Sequence, residues 1–205
     1  MVNLTERNGT RIGVLALQGD FARHVEALER LGVKAAEVRE PEDLNGLSGL
    51  VLPGGESTAM LKLMEGTSME DAIRSFHEKG GAVFGTCAGL ILIADRVTDP
   101  EQRSLHLLDV DVERNAYGRQ RDSFEADIES SIGRDEPLRG VFIRAPRVTR
   151  QGPGVEVLAR AADGEAVLLR QGNILAATFH PEMTSDLRVH RYFVEEVQNH
   201  RTSKD

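Results

Sequence analysis

The sequence has no tryptophan, a single cysteine and no long hydrophobic run, and each absence excludes a class of protein. With Cys87 as its one cysteine, the chain cannot form an internal disulfide or a zinc or redox motif of the CxxC type. The longest strongly apolar stretch, Leu90–Ala94, is far too short for a membrane-spanning helix. Residues 1–11 are polar and lack the apolar core of a signal peptide. We therefore expect a cytoplasmic protein with a free thiol and no membrane association.

Basic residues are in the minority: 25 Lys+Arg stand against 33 Asp+Glu, and the formal net charge is −8. This charge disfavours binding to nucleic acid, so we expect no nucleic-acid partner. The 205 residues are 40% hydrophobic and 28% charged, which is ordinary for a globular protein with one sizeable core. No repeat, low-complexity tract or linker divides the chain. We predict a polar tail at 1–11 and one domain at 12–200.

Short apolar runs alternate with amphipathic segments, a pattern that is typical of βαβ units and a mostly parallel sheet. The buried strands predicted for this sheet are 12–17, 33–38, 49–52, 82–85 and 174–179. The predicted helices begin at Asp20, near Ser57, at Ser68 (with Asp71 in a capping box) and at Ala88, the last one running to Val97, and a closing helix spans 185–200. Strand-like runs at 107–114, 123–128, 140–143, 156–161 and 166–170 predict an antiparallel extension. The expected fold class is α/β.

The segment Gly85-Thr86-Cys87-Ala88-Gly89 stands between a predicted strand and a predicted helix. Small residues two before and two after a nucleophile permit a sharp strand-turn-helix elbow. A thiol there lies at a helix N-terminus, where the helix dipole favours the thiolate. The alternative is a small buried cysteine in a core turn, because free cysteine is among the most buried residue types.

The segment His180-Pro181-Glu182 follows the last buried strand. A general base needs an imidazole held in one orientation and tautomer, and a carboxylate two residues away is placed to hold it. A turn with a solvated glutamate is the alternative for these three residues alone. Paired with a cysteine elbow on the same edge of the sheet, they predict a triad of Cys87, His180 and Glu182.

A glycine-rich segment, 53–58, also follows a strand. Its two glycines allow backbone N–H groups to approach a ligand closely, as an oxyanion hole requires. The alternative is a glycine turn in which Ser57 or Thr58 caps the next helix, and we expect this capping in either case. Two other segments carry Arg114 and Arg144, either of which can bind the carboxylate of an amino acid, although solvated surface arginines remain the alternative.

Other polar features carry no predicted chemistry. Asp109, Asp111 and Glu113 alternate on one strand face without an interleaved histidine or cysteine, so we predict no metal site there. The histidines at 24, 77, 106, 190 and 200 have no ligand spacing, and we expect structural or surface roles for them.

Seven ordered motifs together resemble the glutaminase subunit of pyridoxal 5′-phosphate synthase, a family of class I, triad-type glutamine amidotransferases. They are LQGD at 17–20, PGGEST at 53–58, GTCAGLI at 85–91, ERNAYGRQ at 113–120, DSFEAD at 122–127, VFIRAP at 141–146 and FHPE at 179–182. The match runs from about Ile12 to Val197. It implies a three-layer sandwich around a mostly parallel sheet with an antiparallel extension.

The resemblance also implies roles for individual residues. Cys87 attacks the side-chain amide of glutamine to form a thioester, His180 moves the proton, and Glu182 orients His180. Backbone N–H groups of Gly55 and Ala88 are the implied oxyanion donors. The implied contacts to L-glutamine are Gly55, Glu56, Ser57, Arg114, Ile143 and Arg144. No cofactor or metal is implied.

The family passes its ammonia to a (β/α)8-barrel synthase subunit in a hetero-oligomer, and the resemblance places Gln18 and Gly19 near that contact. Other interpretations remain open. A redox-sensing protein of the same fold would use Cys87 but leave His180 and Glu182 without a role. Related proteases, chaperones or glyoxalases lack the HPE motif, and amidotransferases of histidine or purine synthesis fit RNAYGRQ and FIRAP less well. An α/β-hydrolase has its acid before the histidine, which is the wrong order.

Overall fold

The computed structural model describes residues 9–114, 116, 123–133 and 136–202. The helices in these ranges are α1 (Phe21–Arg30), α2 (Ser57–Met64), α3 (Met69–Glu78), α4 (Ala88–Ile93) and α5 (Arg188–Thr202). The strands are β1 (Arg11–Leu15), β2 (Lys34–Val38), β3 (Gly49–Leu52), β4 (Ala82–Thr86), β5 (Ala94–Thr98), β6 (Leu108–Glu113), β7 (Ser123–Ser130), β8 (Leu138–Ile143), β9 (Arg147–Gln151), β10 (Glu156–Arg160), β11 (Ala166–Gln171) and β12 (Ile174–Ala177). Two short 3₁₀ turns lie at Pro41–Leu44 and Pro181–Met183.

A mixed sheet forms the centre of the fold, with the strand order β2-β1-β3-β4-β12-β11-β10-β7-β8. The first five strands are parallel to one another, and each later strand runs antiparallel to its neighbour. The strands β3, β4 and β12 are buried along their whole length, as expected of central parallel strands covered on both faces. The predicted α/β class with an antiparallel extension is confirmed. A second, small sheet has the order β5-β6-β9.

Helices cover both faces of the central sheet, because the side chains of each buried strand alternate between two cores. Leu50 and Leu52 of β3 pack in one core together with the apolar residues of α2, α3 and α4. Val51, between them, packs in the other core with residues of α1 and α5. The result is the three-layer arrangement that the resemblance implied.

The prediction of one helix over 88–97 is wrong for residues 94–97. It ends at Ile93, and Ala94–Thr98 is β5, which pairs in parallel with β6. In β5 the side chains of Ala94 and Val97 are buried and those of Asp95 and Arg96 are exposed. An apolar run of this length fits either structure, and pairing with a distant strand decides the outcome. The strand β9 was not predicted at all, since its sequence is half-exposed and polar.

The predicted helix caps also need correction. Ser68 stands at the N-cap of α3, but its side chain makes no capping hydrogen bond. Instead, the hydroxyl of Thr67 accepts the N–H of Met69 at 3.2 Å. The closing helix begins at Arg188 rather than at 185, because the 3₁₀ turn delays it and Asp186 accepts the first N–H of α5.

The predicted polar tail overlaps the fold at its end, since Arg11 already belongs to β1. Residues 1–8 lie outside the described residues. Among the helices described, none combines the length and the apolar character that crossing a membrane requires.

Gly89 allows α4 to lie directly on β3. A methyl group at this position would stand 1.9 Å from the carbonyl oxygen of Leu52, a backbone atom that cannot move alone. An alanine inside a helix ordinarily stabilises relative to glycine by about 1 kcal/mol. We predict the opposite sign for Gly89→Ala, with a loss of about 3 kcal/mol in the free energy of unfolding in urea, because the core is overpacked.

The control for this prediction is Gly172→Ala, where the added methyl group meets nothing within 4 Å. Its backbone is left-handed, so a loss of about 1 kcal/mol from strain is expected there. A Gly89→Ala protein as stable as the wild type would contradict the close contact between α4 and β3.

Candidate active site

The chemistry-bearing segments follow three strands that are neighbours in the sheet, β3, β4 and β12. Gly54 and Gly55 come after β3, Cys87 comes after β4, and His180 comes shortly after β12. Since these strands are parallel, their carboxyl ends meet at one edge of the sheet, where open α/β sheets place their ligands. The segments that the sequence singled out are therefore brought together.

Cys87 occupies a sharp turn between β4 and α4, with φ 47° and ψ −102°. A positive φ is rare for a residue with a side chain and costs about 1–3 kcal/mol. The turn is held by its neighbours: the N–H of Cys87 donates to the carbonyl of Ala177 at 2.8 Å. A methyl group on Gly85 would lie 2.8 Å from the backbone of Gly89, and one on Gly89 would lie 1.9 Å from Leu52 O, so both flanking positions require glycine. This is the strand-turn-helix elbow that the sequence predicted.

His180 is fixed in one position beside Cys87. Its backbone N–H donates to the carbonyl of Val141 at 2.8 Å, and its Nδ1 lies 2.7 Å from Glu182 Oε1. Because Nδ1–H donates to the carboxylate, Nε2 is the ring atom left for the thiol. Burial disfavours the charged ring, but the hydrogen bonds and charges of Cys87 and Glu182 outweigh burial and raise the pKa of His180 above its ordinary value.

Glu182 is buried behind the imidazole, with a side chain that is 0% exposed. Burial alone would raise the pKa of this carboxyl, but the neighbouring rings of His24 and His180 lower it below its ordinary value. Glu182 is therefore a carboxylate that accepts from His180, as the orienting member of a triad must be.

A cavity of about 260 Å³ opens in front of Cys87 and His180. The predicted site residues that line it are Gln18, Gly55, Glu56, Ser57, Cys87, Arg114, Ile143, Arg144 and His180, and Asp20 and Ile91 complete the wall. A groove of about 650 Å³ lies elsewhere, next to Ser48 and Gly81 at the amino ends of β3 and β4. The larger volume does not identify the site, because the predicted nucleophile, base and orienting carboxylate converge at the smaller cavity.

Arg114 is held at the mouth of the cavity and is not a freely solvated surface side chain. Its Nη2 donates to Glu56 Oε1 at 3.1 Å and to the hydroxyl of Thr58 at 3.0 Å. Arg144 lines the same cavity and has a left-handed φ of 45°. Ile143, just before it, directs its carbonyl oxygen to Cys87 Sγ at 3.7 Å.

The start of α2 differs from the expected cap. The capping residue is Glu56, whose carboxylate accepts the N–H of Thr58 at 3.3 Å. The hydroxyl groups of Ser57 and Thr58 donate to Gln102 Oε1 at 3.0 and 3.1 Å. The predicted capping by Ser57 or Thr58 is therefore wrong, and the Ser57 hydroxyl already has a partner.

The loop at Gly54 and Gly55 rests on residues 18–20. Gln18 Oε1 accepts the N–H of Glu56 at 2.8 Å, and the N–H of Asp20 donates to the carbonyl of Gly54 at 3.3 Å. Gly19 has a left-handed backbone, and a methyl group on it would strike Gly54 O. The residues expected at a partner contact, Gln18 and Gly19, thus touch the loop that carries the expected oxyanion donor.

The site includes side chains that the sequence did not point to. His24 and His190 are fully buried behind Glu182, and Asp20 lines the cavity. The periodicity of α1 contains a signal for His24, because its buried residues are His24, Ala27 and Leu28, at helical spacing. Nothing in the sequence indicates that His190 meets His24.

One three-residue set of possible metal ligands occurs among the described residues. Asp20, His180 and Glu182 each offer an atom within 4.8 Å of the others. Two of them are already joined by the hydrogen bond between His180 and Glu182, which accounts for their closeness without a metal. Asn115 and 117–120, which belong to the motif at 113–120, lie outside the described residues, as do residues 121 and 122.

Comparison with known proteins agrees with the geometry. Residues 14–199 match the model of the SNO glutamine amidotransferase family. Three relatives carry the name pyridoxal 5′-phosphate synthase subunit PdxT. The Thermus thermophilus protein is 56% identical over 90% of this chain and 96% of its own length. The Desulforudis audaxviator protein is 51% identical over 91% of this chain and 98% of its own length. The Thermotoga maritima protein is 51% identical over 92% of this chain and 100% of its own length.

Solved structures resemble the fold as well. A crystal structure described as a glutamine amidotransferase is 53% identical, covers 91% of this chain and 98% of its own, and has a TM-score of 0.84. A structure described as PurLQS from Thermotoga maritima has a TM-score of 0.69 at 16% identity, with 92% and 99% coverage. The second likeness concerns the fold alone.

Gly54 packs against the ring of His180, and we predict that Gly54→Ala displaces that ring. The added methyl group would lie 2.3 Å from Cε1 and 2.7 Å from Nδ1 of His180. Because a displaced imidazole supports the thiolate less, alkylation of Cys87 by iodoacetamide is expected to slow by about 10-fold at neutral pH.

Gly66→Ala is the control, because its methyl group meets nothing within 4 Å. Its backbone is left-handed, unlike that of Gly54, so Gly66→Ala also shows whether backbone strain away from the site alters the rate. Its alkylation rate is expected to equal that of the wild type. Equal rates in all three proteins would show that Gly54 does not fix the position of His180.

Proposed function

The chain belongs to the SNO glutamine amidotransferase family, and we propose that it hydrolyses L-glutamine to L-glutamate and ammonia as the glutaminase subunit of a pyridoxal 5′-phosphate synthase. The observation that carries this proposal is the buried His180, whose ring joins the elbow cysteine to a buried carboxylate. Relatives that share about half of their residues over nearly the whole chain carry the name of that subunit.

In the proposed reaction, the sulfur of Cys87 attacks the side-chain amide carbon of glutamine. His180, with a raised pKa, holds the thiol proton and gives it to the departing ammonia, which leaves a γ-glutamyl thioester. Water then attacks the thioester with His180 as the base and releases glutamate. Glu182 keeps Nδ1–H of His180 in place, so that Nε2 faces the reacting atoms in both steps.

Backbone N–H groups of Gly55 and Ala88 are the proposed donors to the oxyanion. Ala88 opens α4 directly after the nucleophile, where the first N–H groups of a helix have no partner inside the helix. Gly55 lines the cavity and has a positive φ of 151°. An oxyanion formed at the amide carbon would lie between these two segments.

The cavity wall is suited to the amino-acid end of glutamine. Arg114 and Arg144 line it, and a guanidinium binds a carboxylate in bidentate fashion. Glu56 next to Arg114 supplies an acceptor for an α-ammonium group. Gly55, Ser57 and Ile143 complete the proposed contacts through the cavity wall.

The partner that we propose to receive the ammonia is a (β/α)8-barrel synthase subunit, with Gln18 and Gly19 at the contact. Support comes from the place of these residues, because they hold the loop at Gly54 and Gly55. A redox-sensing role for Cys87 would leave the buried pair of His180 and Glu182 unused, and no observation favours it.

The direct test is glutamate release from glutamine, measured with and without the synthase subunit. We expect turnover that requires the partner and that falls by at least about 10³-fold in Cys87→Ala, since no other group can form the thioester. Thermal unfolding of Cys87→Ala checks that the variant is folded. A wild-type protein that stays silent with its partner, while Cys87 still reacts with iodoacetamide, would contradict the proposed function.

Arg114 offers a second test, which concerns substrate binding. We expect Arg114→Gln to raise KM for glutamine by about 10- to 100-fold with little change in kcat, because the lost contact to the α-carboxylate is equal in ground and transition states. Arg139→Gln is the matched control, since the exposed side chain of Arg139 on β8 pairs with the exposed carboxylates of Glu125 and Asp127 on β7. An unchanged KM in Arg114→Gln would place the α-carboxylate elsewhere.

A further inference from the structure

A row of buried polar side chains continues behind the triad. His24 of α1 and His190 of α5 are both 0% exposed. His24 Nε2 lies 3.3 Å from Glu182 Oε2 and 3.2 Å from the hydroxyl oxygen of Thr86, and His24 Nδ1 lies 2.9 Å from His190 Nε2. Five side chains thus connect in order from the thiol to α5: Cys87, His180, Glu182, His24 and His190.

The charge of Glu182 decides which nitrogen of His24 carries the proton. If Nε2 were unprotonated, its lone pair would face a carboxylate oxygen at 3.3 Å and repel it. A proton on Nε2 donates to the hydroxyl oxygen of Thr86 and at the same time places positive partial charge 3.3 Å from Glu182 Oε2. The contact with Thr86 has the geometry of a hydrogen bond, whereas the contact with Glu182 does not. Among the described residues, Glu182 Oε2 therefore has no hydrogen-bond partner, and His24 interacts with it electrostatically.

His190 completes the assignment. With the proton on Nε2, His24 Nδ1 is an acceptor, and it must receive Nε2–H of His190 across the 2.9 Å contact. His190 Nδ1 is then an acceptor without a hydrogen-bond partner among the described residues. A buried acceptor without a partner costs less free energy than a buried N–H without one. The opposite tautomers would leave a buried N–H of His190 unpaired.

Both rings are neutral at neutral pH. Burial lowers the pKa of His24, with the charge of Glu182 opposing it, and burial lowers the pKa of His190 to about 3. The titratable groups that face His24 are Glu182, His180, His190 and Asp20. Glu182 is therefore the charged group next to these two neutral rings, and it depends on the N–H groups around it.

Apolar side chains in this space would avoid a cost in free energy, because buried polar groups destabilise a protein unless they are paired. A buried network does, however, fix the orientation of its members. The carboxylate of Glu182 has two oxygens, of which Oε1 serves His180 and Oε2 faces His24. The orientation of Oε1 toward His180 thus depends on what holds Oε2.

We propose that His24 is a positioning residue for the glutaminase reaction: its Nε2–H faces Glu182 Oε2 and holds the carboxylate toward His180, and His190 fixes the tautomer of His24 that makes this possible. The kinetic part of this inference rests on the proposed function. The tautomer part does not, since it concerns the isolated chain.

The variants that test the proposal are His24→Leu and His24→Gln. Leucine removes the donor, whereas the side-chain amide of glutamine returns an N–H at about the reach of Nε2. We expect His24→Leu to lower kcat of glutamate release, with the synthase present, by about 10- to 100-fold at a nearly unchanged KM, the range found when a residue that orients a functional group is lost. His24→Gln is expected to restore most of kcat.

The pH profile separates positioning from mere packing. Loss of the N–H facing Oε2 favours the protonated form of Glu182 and so raises the pKa of this carboxyl. The acid limb of kcat/KM is therefore expected to move to higher pH in His24→Leu and to return in His24→Gln. His77→Leu is the matched control, because His77 is a half-buried histidine of α3 that contacts Gly81 O outside the site; its profile is expected to equal that of the wild type.

Nuclear magnetic resonance of the free, wild-type chain tests the tautomers without any activity. Long-range proton–nitrogen spectra of the protein labelled with ¹⁵N-histidine are expected to show protons on Nε2 of His24 and of His190, and His190→Gln and His24→Gln assign the signals. A proton on Nδ1 of His24 would overturn the proposal. Because this measurement uses the wild-type chain, it tests the proposal even if His24→Leu does not fold.

The kinetic outcomes can be told apart from failure of the proposed function. A wild-type protein that releases no glutamate with its partner contradicts the proposed function and leaves the tautomer result to decide the inference. An active wild type with an unchanged kcat and acid limb in His24→Leu overturns the inference alone. Equal losses in His24→Leu and His24→Gln, without a shift of the acid limb, also overturn it, because they indicate a packing role.

Discussion

The sharp turn at Cys87 is the constraint on which the rest of the site depends. It requires a left-handed backbone at a residue with a side chain, and it is stable only because Gly85 and Gly89 leave room and Ala177 accepts the N–H of Cys87. That hydrogen bond ties the elbow to β12, whose continuation carries His180. One local conformation therefore presents the sulfur to the cavity and sets it beside the base.

The charges of the site are arranged in two separate groups. The inner group, behind the nucleophile, holds the carboxylate of Glu182 between two imidazoles and away from water. The outer group, which lines the cavity, sets Arg114 against Glu56 and also contains Arg144. In a chain of net charge −8, these arginines make the mouth locally favourable for an amino-acid carboxylate. In the proposed reaction the inner group moves the proton and the outer group binds the substrate, so variants in each should separate kcat from KM.

Most of the site was predictable because its signals are local. The glycines around Cys87, the carboxylate two residues after His180 and the strands before both segments are all visible in the sequence, and the structure places them at one edge. The histidine pair was not predictable, since His24 and His190 are 166 residues apart and meet only through the packing of α1 beside α5. The end of α4 at Ile93 escaped prediction for the same reason, because pairing with β6 converts the next residues into a strand.

The proposed partner surface and the proposed oxyanion loop form one contiguous unit. Gln18 accepts from Glu56, Asp20 donates to Gly54, and Gly19 leaves just enough room for the Gly54 carbonyl. A partner that contacts Gln18 would therefore act on the peptide between Gly54 and Gly55 through direct contacts, without a long path through the core. The ring of His180 packs against Gly54, so a shift of this loop would change the position of the proposed base as well as that of the proposed oxyanion donor. Such an arrangement allows ammonia release to be coupled to the presence of the protein that consumes it.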